Sequence, residues 1–171
     1  MQYNIHPIFV HFPIAFLLLY SILVIIPFEK IFSKLNLQIT KSTLLILGTV
    51  SLFVSAATGD QAQHLLRIRN EVMEMHELFA QLTIFSYSLL LVGELLKLSA
   101  DFINRHLKIE FFKKIIFFIK NILTNKFLVI IIAIFGLIAI SLTGMFGGIL
   151  VHGTTADPLA PIILDLFNIT L

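Results

Sequence analysis

The chain has no cysteine. That excludes a disulfide framework, a thiolate zinc site, an iron–sulfur cluster and a thiol nucleophile. It is also poor in charge: Asp, Glu, Lys and Arg make up 13% of its 171 residues, against about 25% in a soluble domain. The 58% that are hydrophobic, with a mean hydropathy of +0.98, exceed what one water-soluble core of this size can hide. An ordinary cytosolic enzyme, a disordered chain and a fibrous one are therefore excluded. No nucleophile with a base beside it, no HxxxH or HExxH pair and no glycine-rich phosphate loop stands in the sequence. No nucleic-acid partner is expected, and lipid is the expected solvent for most of the chain.

A helix needs about 20 mainly apolar residues to cross the roughly 30 Å hydrocarbon core of a bilayer. Four segments meet that need: residues 7–28, 42–58, 78–96 and 127–151. All four are read as helices, because backbone polar groups in lipid must be satisfied within the segment. The long unbroken runs lack the alternation of a membrane β-barrel. Residues 1–6 hold no Lys or Arg, and no small-residue cleavage site follows the first run. That run therefore reads as a retained span. The expected fold is all-α: a four-helix transmembrane bundle over residues 1–153, with a tail at 154–171.

Basic residues orient such a bundle. Lys30, Lys34 and Lys41 lie in the first link; Lys97, Arg105, Lys108, Lys113, Lys114, Lys120 and Lys126 lie in the third. Only Arg67 and Arg69 remain for the other side. The expectation is a bacterial inner membrane with both termini in the periplasm. Within the third link, residues 106–124 alternate polar and apolar positions at helical spacing, with a basic stripe. This predicts a cytoplasmic amphipathic helix at the lipid interface. The end of the tail, 162–171, is apolar enough to dock on the membrane surface or on a partner.

Histidine is the informative residue type. His6, His11, His64, His76 and His152 fall on the periplasmic side of this topology, and only His106 on the other. His11 lies about 7–8 Å deeper than His6 along a helix, flanked by Val10 and Phe12. An ionisable residue at that depth is a functional candidate by default. His76 is placed to lie at a similar depth. Two inward imidazoles on two helices meet the requirement for axial ligation of a b-type haem. His11 and His76 are the expected ligands, with His6, His64 and His152 as alternates. Arg67 and Arg69 are the basic groups available to the propionates. Gly48, Ala56, Ala57, Gly59, Gly144, Gly147 and Gly148 would give the macrocycle room, although small residues also serve ordinary helix packing.

Other ligand sets stay open. Met73, Met75 or Met145 could supply a thioether opposite a histidine. The same histidines with Asp60, Glu71, Glu74 and Glu77 could bind copper or zinc. Glu94 is expected to pair with Lys97 three residues on.

The run His6-Pro7-Ile8-Phe9-Val10-His11-Phe12-Pro13-Ile14-Ala15 resembles the opening of the bacterial membrane family catalogued as domain of unknown function 2231. Three further segments are similar in order: Ala56 to Ala62 (AATGDQA), His76 to Ala80 (HELFA) and Gly147 to Gly153 (GGILVHG). The last departs from the family's pattern, lacking its Tyr and bringing His152 two residues early. The resemblance implies a four-helix membrane bundle in electron-transfer company, since some relatives are joined to Rieske-type iron–sulfur domains. By position, its motif residues are His6, His11, Gly59, His76, Gly147 and Gly148. The expected function is a membrane b-type haem protein passing single electrons, an accessory or electron-transfer subunit more than an enzyme. Its partners would be a periplasmic carrier, a quinone, or other subunits of a respiratory or photosynthetic complex. The alternatives are a cofactor-free structural or assembly subunit and a periplasm-facing copper- or zinc-binding protein.

Overall fold

The computed structural model describes residues 4–32, 36–66, 70–155 and 157–169. Among the described residues every regular element is helical. They are α1 (His6–Phe9), α2 (His11–Ile25), α3 (Phe28–Ile31), α4 (Gln38–Leu66), α5 (Glu71–Leu98), α6 (Ala100–His106), α7 (Glu110–Leu123), α8 (Lys126–His152) and α9 (Ala160–Leu166). Four helical runs are long and apolar enough to cross a membrane: α1 with α2, then α4, α5 and α8. Each packs on two others, α2 against α4 and α8, and α5 against α4 and α8, closing a four-helix ring.

Local chemistry explains where these helices begin and end. Pro13 has no N–H to give the Phe9 carbonyl, so one helical bond is missing where α1 passes into α2, while Val10 between them keeps helical dihedrals (φ −63°, ψ −26°) and the span stays one run. Ile26, ahead of Pro27, is extended (φ −86°, ψ 122°), so α2 stops at Ile25 rather than at 28. The middle spans are longer than hydropathy alone indicates. Residues 59–66 continue α4, and α5 starts at Glu71. Polar side chains end an apolar run without ending a helix, whose backbone bonds are internal. Asn70 caps α5, its side chain accepting from the Met73 N–H at 2.9 Å, with Glu71 and Glu74 in the first turn. Asn125 caps α8 in the same way, and Gly153 (φ +68°) ends it in the left-handed region. The amphipathic segment is α7 alone, starting at Glu110 rather than 106, because Leu107 and Ile109 are extended and separate it from α6.

The central core joins Leu17, Tyr20, Leu45, Leu52, Tyr87, Leu90, Ala133 and Ile140. Inside it the hydroxyls of Ser21 and Tyr87 are bonded at 2.8 Å. Large apolar side chains such as Leu19, Phe53, Phe85 and Ile138 face outward, as lipid rather than water requires. The tail docks on its own chain. Ala160, Leu164 and Ile169 join Val72, Phe146 and Ile149 in a second cluster. There the Phe79, Phe146 and Phe167 rings lie 5.6–5.8 Å apart.

Candidate functional site

At the end of the bundle where α1 begins and α8 ends, His6 and His76 come together. Their ring centres are 6.5 Å apart and their planes are nearly perpendicular, at 84°. His6 opens α1, its backbone N–H donating to the Asn4 side chain at 3.1 Å. His76 lies one turn into α5.

Each ring is held by a threonine and flanked by a glycine. His6 Nδ1 is 3.1 Å from Thr58 Oγ1, and that hydroxyl donates its own proton to the Ser55 carbonyl at 2.9 Å. His76 Nδ1 lies 2.9 Å from the Thr143 carbonyl, which only accepts, so Nδ1–H of His76 is the donor and a neutral ring carries its lone pair on Nε2. At His6 the Thr58 hydroxyl can accept from Nδ1–H while donating to Ser55, which would leave the Nε2 lone pair in the same way. A methyl group built at Gly59 would stand 3.2 Å from the His6 ring, and one at Gly147 would stand 3.2 Å from that of His76. Gly147 is one turn beyond Thr143 on α8, so its missing side chain lets the His76 ring reach that carbonyl.

The pairing differs from the expected His11 with His76. His11 is exposed on α2. Five residues turn a helix by about 140° beyond one full turn, which takes His11 to another face than His6. His76 thus stands level with His6 and not with the deeper His11. His64 and His152 are also exposed, near the ends of α4 and α8. Gly148 is half-buried. Arg67 and Arg69 lie outside the described residues. His106, at the opposite end, bonds to the Phe102 carbonyl at 3.0 Å.

The acidic residues do not gather round the pair. Asp60, Glu71 and Glu74 are exposed. Glu74 and Glu77 line, with Gln63, Asn70 and Met73, a separate recess of about 190 Å³. Among the described residues no group of three or more His, Asp or Glu could hold a metal ion. Thr58 and Thr143 were missed by the sequence reading. Their signal was spacing: a threonine directly before Gly59, and another one helical turn before Gly147.

Comparison with known proteins adds one finding. A family model described as a predicted membrane protein (DUF2231) matches residues 2–157. No curated protein and no solved structure matches the chain.

Proposed function

The chain belongs to the DUF2231 family of predicted membrane proteins, and from that premise we propose that it holds a b-type haem between His6 and His76 and passes single electrons. The observation carrying this reading is the ring pair: two neighbouring imidazoles from different helices, 6.5 Å between centres, each held at Nδ1 so that Nε2 is the nitrogen left for a metal. Two imidazoles that share one metal at about 2.0–2.1 Å per nitrogen have ring centres ~6 Å apart, close to the spacing here.

The donor set favours haem over a bare ion. Zinc in a structural site takes four ligands from the protein, and the described residues offer these two imidazoles without a third donor. A porphyrin brings four nitrogens of its own and leaves two axial positions to the protein. When bound, the group supplies a one-electron couple. The chain's own residues do the rest. Thr58 and the Thr143 carbonyl orient the rings, and Gly59 and Gly147 leave room for them. The apolar cluster of Phe79, Phe146 and Phe167 lies in the same end of the bundle. The absorption spectrum of the full-length protein, purified from its native membrane, tests the reading. A sharp Soret band that shifts on dithionite is expected; a colourless, iron-free preparation overturns it.

A second reading has one observation in its favour. Both rings already have hydrogen-bond partners and rest directly against Gly59 and Gly147, which also suits a cofactor-free structural subunit. The colourless outcome selects it.

The lysine-rich links support a periplasmic histidine end by the positive-inside rule. There the partners would be a periplasmic carrier, a quinol or another redox subunit. The absence of cysteine makes the orientation simple to measure. A single cysteine at Asp157→Cys is expected to react with a membrane-impermeant maleimide in spheroplasts. One at Lys114→Cys is expected to react only after permeabilisation. The reverse pattern would refute the orientation.

A further inference from the structure

The opposite end of the bundle holds a cavity of about 700 Å³ among α2, α4, α5, α7 and α8. Among the described residues five lysines line it, Lys30, Lys41, Lys97, Lys120 and Lys126, with one carboxylate, Glu94. Glu94 is already satisfied: it accepts from Gln38 Nε2 at 2.9 Å and Ser42 Oγ at 2.6 Å, and pairs with Lys97 Nζ at 3.5 Å. Among the described lining residues lysines thus outnumber carboxylates, and Glu94 is turned to partners on α4 and α5.

The cavity is also layered. Its remaining walls include Tyr20, Val24, Leu90, Val129 and Ile130. Along the helices, Leu90 lies about 10 Å below Lys97, and Ile130 about 6 Å below Lys126, at 1.5 Å per residue. A cationic tier therefore sits above an apolar floor that reaches into the core. The amphipathic helix α7 closes one side in an unusual sense. Lys120 turns toward the cavity, while Phe111, Phe112, Phe118 and Ile122 are exposed on the outside. Its C-terminal end is seated on Gly93, where a methyl group would stand 3.0 Å from the Leu123 carbonyl oxygen. That contact fixes Lys120 over the opening.

We propose that this cavity binds one anionic phospholipid, its phosphate among the lysines and the start of its acyl chains on the apolar floor. Basic pockets between membrane helices recognise phosphate headgroups in this way, and the floor distinguishes a lipid from a free phosphate, which has no use for it. The inference rests on neither the haem nor the orientation.

Native mass spectrometry of the full chain in detergent tests it, with phosphatidylglycerol, phosphatidylcholine or inorganic phosphate added. One retained phosphatidylglycerol per chain is expected, at least tenfold preferred over phosphatidylcholine. Lys120→Gln with Lys126→Gln should reduce retention at least tenfold. Lys108→Gln with Lys114→Gln removes the same charge from exposed positions outside the cavity and should leave retention unchanged. Lys120→Arg with Lys126→Arg should preserve it. Equal retention of the two lipids by the unaltered chain overturns the proposal, whatever the variants do. So does an equal loss in both glutamine pairs, which would mark a general surface effect. Inorganic phosphate displacing the lipid at comparable concentration would identify an anion site instead and overturn it too.

Discussion

Replacing His76 with alanine is expected to abolish the haem spectrum outright, and His6→Ala should do the same, while His11→Ala leaves it intact. The asymmetry follows from the geometry. His6 and His76 are neighbours with oriented rings, whereas His11 is exposed on another face of the first span. On the proposed reading, losing one of the two imidazoles would remove half of the protein's hold on the iron, and among the described residues no third His, Asp or Glu gathers with the pair to replace it. The measurement is the Soret absorbance per chain of purified full-length protein, beside its helicity, so that loss of haem is separated from loss of fold. Retention of a full low-spin spectrum by both single variants would sink the assignment, and so would its loss in His11→Ala.

A comparably large effect is expected from Gly48→Leu, with Gly144→Leu as its control. Gly48 is buried where α4 meets α2, and a Cβ there would overlap the Leu17 side chain, itself completely buried. Overpacking a close contact costs typically 1–3 kcal/mol. A whole leucine between two spans should exceed the upper end, about 3 kcal/mol. Separation of α2 from α4 also dismantles the central core that Leu17 shares with Tyr87 and Ile140. Gly144 is exposed, and its nearest neighbour for an added methyl group is Ile14 at 3.8 Å, an ordinary contact. Gly144→Leu should change stability by less than about 0.5 kcal/mol. Size-exclusion profiles and thermal unfolding followed by circular dichroism read both. Wild-type behaviour of Gly48→Leu would show that the α2–α4 contact is looser than described.

The two glycines illustrate how the site was legible only in part. Both sit in apolar helical sequence, and both were candidates for close approach. Only the packing separates the one that touches a neighbour from the one that faces outward. The histidines behave alike. His76, the His-Pro start and the glycines at 59 and 147 stood out by type and position. That His6 rather than His11 meets His76 required the rotation of the first span. Thr58 and Thr143 escaped notice because hydroxyl residues in membrane helices commonly bond their own backbone, as Thr83, Ser86 and Ser141 do here. The end of the tail was read as a patch for a membrane or a partner. One face of it covers Phe79 and Phe146 of its own bundle, while Ile162 and Leu166 stay exposed on the other, a division that apolar length alone does not reveal.

Four membrane spans, their approximate centres and the lysine-rich end follow from composition and order alone. Transfer of a segment into lipid is a sum over its residues, and no knowledge of neighbours is needed to form that sum. Helix rotation is a different matter. In water an apolar stripe marks the face that turns inward. In lipid the outside is as apolar as the core, so that mark is erased, and only contacts between helices select the inward face. The meeting of His6 with His76 and the lysine-lined cavity at the far end both depend on that selection, and so they emerged from the assembled bundle.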